Sequence, residues 1–136
     1  MKMTTSRSVL YIDDDHDDIE IITAALRQAD PNLHIQIAEN GMAALEYLYA
    51  AKENEKPLPG LIILDINMPY LDGAATFEKI RQDPFLKDLP LFIFTSSENP
   101  NDAAFFETKG VELIHKPHNI SNIHAIISKM LQACKG

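Results

Sequence analysis

Five apolar runs alternate with five helix-like segments along this chain, and that alternation restricts the fold more than any other feature. The runs are SVLYID (8–13), LHIQIA (33–38), GLIILD (60–65), LPLFIFT (89–95) and VELIH (111–115). Alternating strands and helices are typical of a parallel sheet. Runs such as LIILD are apolar almost throughout, as expected of strands covered on both faces. The pattern therefore predicts a doubly wound α/β fold, with a five-stranded parallel sheet and helices on both faces.

The helix-like segments carry apolar residues at helical spacing. Stripes that should face the sheet are Ile19, Ile22 and Leu26; Ala44, Leu45 and Leu48; and Ile120, Ile123, Ile126, Ile127 and Met130. Asn40, and Asn99 followed by a proline, are start signals, whereas Gly110 is a stop signal. The charged, proline-containing segments 52–60 and 82–90 are predicted to be surface loops.

Composition limits the number of domains and the kinds of partner. A chain of 136 residues, 46% of them hydrophobic, is long enough for one core and too short for two ordinary domains, so residues 1–136 are expected to form a single domain. The net charge of -8 disfavours direct nucleic-acid binding. No apolar run approaches the roughly 18 residues of a spanning helix, and charge interrupts the N-terminal region early, so a cytoplasmic protein without membrane attachment is expected.

Polar residues follow the predicted strands at the points where those strands end. They are Asp13 and Asp14 after the first run, Asp65 after the third, Thr95 closing the fourth and Lys116 after the fifth. The carboxyl ends of parallel strands lie at one edge of a sheet, where ligands bind in open α/β folds. We therefore expect these side chains to form one site.

The acidic residues of this set suit a divalent cation. By themselves Asp13, Asp14 and Asp15 would more often be structural, since acidic residues commonly cap helices. Two adjacent carboxylates with a third beside them repel each other unless a cation joins them. Mg²⁺ fits because it binds through one or two carboxylates and leaves positions for phosphate oxygens. Asp14 and Asp65 are predicted to be direct ligands.

These motifs resemble the receiver domain of response regulators in two-component signalling. The resemblance extends over residues 8–134 and includes the acidic pair, DINMP with the following LDG, the threonine after the fourth strand and the Lys-Pro pair. It implies a flavodoxin-like sheet with strand order 2-1-3-4-5. A weaker similarity, carried by DPFLKDLP and TSS, is to stand-alone receivers that include partners of bacterial phytochromes.

The resemblance implies a role for each site residue. Asp65 would be the phosphoacceptor, and Mg²⁺ would be held by Asp13, Asp14, Asp65 and the backbone carbonyl of Asn67. The phosphoryl oxygens would be bound by the residues at the ends of the last two strands, Thr95 and Lys116. Physical chemistry agrees, because a carboxylate can attack phosphorus, a metal ion offsets the accumulating negative charge, and an ammonium group and a hydroxyl bind the phosphoryl oxygens.

Two further expectations concern conformation. Pro117 follows Lys116 where this family carries a cis peptide, so the Lys116–Pro117 bond is expected to be cis. Receivers often carry Tyr or Phe three residues before the lysine, but this chain has Leu113. Any switch must then use loop movement or other packing, and Phe105 and Phe106 are candidates for that surface.

The predicted function is phosphoryl transfer to Asp65 from a sensor or hybrid histidine kinase or a phosphotransfer protein. The signal would pass to a downstream protein, and the similarity to the phytochrome-partner receivers suggests a homodimer through the fourth helix, fifth strand and fifth helix. No turnover of a separate substrate is expected. Two alternatives are a receiver-like interaction module that acts without phosphorylation, and a phosphohydrolase of the haloacid-dehalogenase type that uses Asp13 and Asp15. The second is weakened by Asp17, which stands where that motif needs Thr or Val.

Overall fold

The computed structural model describes residues 5–67 and 72–136. Residues 68–71 of the DINMP and LDG region, and the side chain of Ile120, lie outside what is described. In chain order the elements are β1 (Thr5–Ile12), α1 (His16–Ala29), β2 (His34–Ala38), α2 (Gly41–Glu53), β3 (Leu58–Leu64), α3 (Gly73–Gln82), β4 (Leu91–Thr95), α4 (Pro100–Thr108), β5 (Leu113–His115) and α5 (Ile120–Gln132). Strands and helices alternate as predicted.

The strands form one parallel sheet in the order β2-β1-β3-β4-β5. Successive side chains of a strand point to opposite faces, so the apolar runs supply two cores. On one face, Val9 and Tyr11 pack with residues of α1 and α5; on the other, Leu10 and Ile12 pack with residues of α2, α3 and α4. The predicted doubly wound, flavodoxin-like fold is confirmed.

The apolar stripes of the helices face the sheet. Ile22 and Leu26 of α1, Leu48 of α2, and Ile127 and Met130 of α5 are all buried. None of the described helices is both long enough and apolar enough to cross a membrane.

The predicted helix start and stop signals act as expected. The side chain of Asn40 accepts a hydrogen bond of 2.8 Å from the Ala43 amide, and Asn99 caps α4, whose first residue is a proline. Gly110 follows α4 with a φ of 72°, a left-handed conformation that glycine adopts without steric cost. Asp15, one of the acidic residues that could be structural, caps α1 and accepts from two backbone amides at its start.

The prediction that residues 52–60 and 82–90 form surface loops is partly wrong. Leu58, Pro59 and Gly60 are buried residues of β3, and Leu58 and Pro59 pair with the beginning of β1. Pro59 is tolerated because the pairing of β3 with β4 begins only at Ile62, so no bond on that side needs its missing N–H. In the second segment Leu86 belongs to the core, together with Leu89. Charge and proline content therefore obscured the burial of both segments.

Candidate functional site

The ends of β1 and β3 bring three carboxylates together. Ile12 and Leu64 are paired neighbours in the sheet, and the Asp65 amide donates a hydrogen bond of 2.9 Å to the Ile12 carbonyl oxygen. The residues that follow these strands are therefore side by side. Oxygen atoms of Asp13, Asp14 and Asp65 lie within 4.8 Å of one another. Asp13 and Asp65 are buried, whereas Asp14 is exposed.

Lys116 enters this cluster from the end of β5. Its backbone amide donates to the Thr95 carbonyl oxygen at 2.8 Å, which holds the residue beside the end of β4. The side chain is 11% exposed, and Nζ lies 2.7 Å from Asp13 Oδ2, 2.8 Å from Asp18 Oδ2 and 3.0 Å from Asp65 Oδ2. One ammonium group thus contacts the carboxylates that directly follow β1 and β3 and a third carboxylate in α1.

The charges of these groups are strongly linked. Burial lowers the pKa of Lys116, but its hydrogen bonds to Asp13 and Asp18 and the charge of Asp65 outweigh burial, so the pKa is raised. Burial raises the pKa of Asp65, and the opposing attraction of Lys116 does not cancel that effect. Lys116 is therefore a cation at neutral pH, and the Asp65 carboxylate is less stable in its charged form than an exposed one.

Tyr11 completes the surroundings of Asp13. Its buried hydroxyl donates a hydrogen bond of 2.6 Å to Asp13 Oδ2. Burial and the charge of Asp13 raise the pKa of Tyr11, so the hydroxyl remains a donor. The sequence prediction missed this contact, although residues two apart on a strand share a face and the spacing of Tyr11 from Asp13 is such a signal.

Thr95 lies at the same edge without joining the carboxylates in the described structure. Its fully buried hydroxyl accepts a hydrogen bond of 3.1 Å from the Ser97 amide. Asn67 is exposed, and its amide donates to Asp65 Oδ1 at 3.1 Å. Four of the predicted site residues therefore meet through their side chains, whereas Thr95 and Asn67 are held next to them.

The carboxylate cluster fits a hard divalent cation. All three predicted side-chain ligands supply oxygen, the ligand atom that Mg²⁺ and similar ions prefer. Asp13 Oδ1 accepts from the Asp15 amide and Asp65 Oδ1 accepts from the Asn67 amide. A carboxylate oxygen has a further lone pair available beyond one such bond. The set of Asp13, Asp14 and Asp65 can therefore bind a cation without losing these backbone contacts.

Comparison with known proteins identifies the family. Residues 9–128 match the family described as "Response regulator receiver domain". The chain belongs to the response regulator receiver domain family. The receiver domain is 29% identical to the response regulator Rcp1 of Synechocystis over 121 residues, covering 88% of this chain and 82% of that protein. It spans only 26% of a probable cyclic di-GMP phosphodiesterase of Vibrio cholerae, to which it is 29% identical.

Solved structures agree with this assignment. The receiver domain superposes on Mn²⁺-bound Rcp1 with a TM-score of 0.80 at 25% identity, covering 91% of each chain. The phosphorylated cyanobacterial phytochrome response regulator RcpA gives a TM-score of 0.80 at 27% identity, covering 92% of this chain and 91% of that one. The predicted similarity to the phytochrome-associated receivers is therefore confirmed.

Two expectations about this receiver domain need revision. The Lys116–Pro117 bond is trans, so the predicted cis peptide is wrong. Trans is favoured by about 0.5–1 kcal/mol at X-Pro bonds, and the contacts of Lys116 already fix this segment. Phe106 is a core residue, packed edge-on against Phe77 with ring centroids 5.4 Å apart, and only Phe105 is half-buried.

The hydrolase alternative is not supported by the geometry. It requires Asp13 and Asp15 to act together. The Asp15 side chain instead accepts hydrogen bonds from the amides of Asp17 and Asp18, as the cap of α1. The interaction-module alternative, which Leu113 would favour, is not supported either, because the acidic cluster and Lys116 are both assembled.

Proposed function

We propose that Asp65 of this receiver domain accepts a phosphoryl group from a phosphohistidine. The donor would be a sensor or hybrid histidine kinase or a phosphotransfer protein, and the reaction would require Mg²⁺. The observation that carries the proposal is the position of Asp65, whose Oδ2 lies 3.0 Å from Lys116 Nζ within the carboxylate cluster. This arrangement gives a nucleophile, a cation site and an ammonium group at one point.

The transfer is a displacement at phosphorus. A carboxylate oxygen of Asp65 forms the new phosphorus–oxygen bond while the phosphorus–nitrogen bond of phosphohistidine breaks. The electron pair of the broken bond stays on the imidazole nitrogen, and the ring takes up a proton from water. The resulting acyl phosphate is later hydrolysed, so the domain turns over no separate substrate.

Each neighbouring group has a proposed part in this reaction. Asp13, Asp14 and the Asn67 carbonyl would hold the metal with Asp65, and Mg²⁺ would offset the charge on the phosphoryl oxygens. Lys116 would donate to one of those oxygens. The Thr95 hydroxyl would donate to another, since it accepts from the Ser97 amide and its own proton remains available.

The phosphorylated domain would signal through protein contacts. Phosphorylation would change its affinity for a downstream protein in the cytoplasm, with a homodimer through α4, β5 and α5 as a further predicted contact. Similarity to phosphorylated RcpA supports the chemistry, and similarity to phytochrome response regulators supports a sensor kinase as donor. The acidic charge of the chain is unsuited to direct nucleic-acid binding.

Incubation with acetyl phosphate and Mg²⁺ tests the proposal. Intact-mass spectrometry should show one added phosphoryl group that hydroxylamine removes. Asp65→Asn should abolish the adduct, whereas Asp17→Asn, at an exposed carboxylate on α1, should retain it. An adduct that persists in Asp65→Asn, or the lack of any adduct on the wild-type protein, would overturn the proposal. Chelation of Mg²⁺ should prevent phosphorylation.

A further inference from the structure

Lys116 contacts a third carboxylate that lies outside the proposed cation site. An ammonium group has three N–H donors, and in this structure Asp13, Asp18 and Asp65 each accept from Nζ. Asp13 and Asp65 are also the buried members of the carboxylate cluster. Asp18 is therefore the partner that remains for Lys116 when the other two carboxylates turn to a metal ion and a phosphoryl group.

The position of Asp18 beside Lys116 is fixed by contacts of α1. Its backbone amide donates to the capping carboxylate of Asp15 at 3.1 Å, in the first turn of α1. Ile22, four residues later and therefore on the same side of the helix, is 3% exposed and packs into the core that α1 and α5 cover. The Asp18 side chain is thus held over the site by a helix that is itself anchored.

Lys116 has space to move if that contact is lost. Asp18 and Lys116 line a cavity of about 260 Å³ together with Ile21, Pro117 and His118. A lysine side chain has four flexible carbon–carbon bonds, so one missing contact allows several other positions. Of the three carboxylates that Lys116 contacts, only Asp13 and Asp65 would then remain, and these are the residues that would hold the metal.

We infer that Asp18 is a positioning residue for Lys116. It holds the ammonium at the edge of the phosphorylation site, from which Nζ donates to a phosphoryl oxygen on Asp65 while keeping its bond to Asp18. This inference rests on the proposed function, because it assigns Asp18 a part in the same phosphoryl transfer. Asp18 itself touches neither phosphorus nor metal and acts through Lys116 alone.

The matched pair Asp18→Asn and Asp17→Asn tests this role. Both substitutions remove one negative charge from the same turn of α1, but Asp17 is exposed and its side chain makes no contact with Lys116 among the described residues. With acetyl phosphate and saturating Mg²⁺, Asp18→Asn should lower the maximal phosphorylation rate by about tenfold or more. Asp17→Asn should change it by less than about twofold, because the charge of an exposed side chain is screened by water and salt.

Two further readouts separate positioning from a general structural effect. Nitrogen-15 NMR of the unphosphorylated protein should show a slowly exchanging Lys116 ammonium signal that Asp18→Asn broadens and Asp17→Asn preserves. In a Lys116→Ala background, Asp18→Asn should cause no additional loss of rate, since residues that act as a unit are not additive.

The results of these experiments distinguish the role of Asp18 from the phosphorylation of Asp65, on which that role depends. Equal rates in Asp18→Asn and Asp17→Asn, or a further loss in the Lys116→Ala background, would overturn the role of Asp18 while phosphorylation of Asp65 stands. A wild-type protein that acquires no phosphoryl group would overturn the proposed function and the inference with it. An unchanged ammonium signal in Asp18→Asn would contradict the contact directly.

Discussion

The Ser97 hydroxyl donates a 2.6 Å hydrogen bond to Asp102 Oδ2, and so joins the loop after β4 to the first turn of α4. The Ser97 amide in turn donates to the Thr95 hydroxyl. Thr95 is therefore connected to α4 through one residue. In a receiver domain with Leu113 where an aromatic residue often stands, this chain of hydrogen bonds is a direct link from the site to that helix.

Ser97→Ala should destabilise the domain by about 1.5 kcal/mol, since a hydrogen bond to a charged group contributes about that much. Urea unfolding followed by circular dichroism measures the change. Ser96→Ala is the matched control, because the neighbouring Ser96 is exposed and makes no side-chain hydrogen bond within the described residues. Equal losses in the two variants would show that the Ser97–Asp102 contact contributes nothing specific.

Tyr11→Phe should lower the free energy of unfolding by about 2 kcal/mol. The substitution removes the hydroxyl that donates to Asp13 Oδ2, and this carboxylate is fully buried. A hydrogen bond to a charged group contributes about 1.5–3 kcal/mol, and Asp13 keeps its contacts with Lys116 and the Asp15 amide. Tyr47→Phe serves as control, since Tyr47 is half-buried and far from the carboxylates at the other end of the sheet. A Tyr11→Phe protein as stable as wild type would contradict the prediction.

Asp65→Asn should raise the thermal midpoint at neutral pH. Burial raises the pKa of Asp65 above its ordinary value of 3.8, although Lys116 opposes that effect. The folded state therefore binds this proton more tightly than the unfolded state does. The ionised carboxylate costs stability above the folded-state pKa, and the cost disappears as pH falls below 3.8.

Calorimetry at neutral pH and at a pH below 3.8, the ordinary pKa of Asp65, checks this prediction. The midpoint gain of Asp65→Asn over wild type should be present at neutral pH and absent in acid, because the neutral side chain has nothing to titrate. A gain of the same size at both pH values would mean that packing, not charge, causes it. Asp17→Asn, at an exposed position, should not change the thermal midpoint appreciably at either pH.

Asp14→Asn should weaken Mg²⁺ binding by more than about tenfold, since even residues that only support metal ligands cost tenfold or more when changed. Asp14 is exposed, so the fold should remain intact. Isothermal titration with Mg²⁺ measures the affinity, with Asp17→Asn as the control for loss of one charge. Equal affinities of Asp14→Asn and wild type would place the cation elsewhere.

Much of the fold follows from local patterns in the sequence. Apolar runs and helical stripes predict the order of elements, because each depends only on residues a few positions apart. Sheet order came from the family resemblance and not from these patterns. The extent of β3 was missed, since Leu58–Gly60 looks like a loop and is buried by long-range contacts with β1 and with Cys134 and Lys135 near the C-terminus.

The candidate site, too, was only partly predictable from the sequence. The sequence by itself placed Asp13, Asp14, Asp65 and Lys116 at strand ends, and parallel strands bring their carboxyl ends to one edge. Only the tertiary structure decided that Lys116 also contacts Asp18, which lies 98 positions away on a helix. No local pattern encodes such a contact, because it depends on how α1 packs beside the end of β5. Residue type and spacing thus determined the chemistry available, and packing determined which groups each charged side chain contacts.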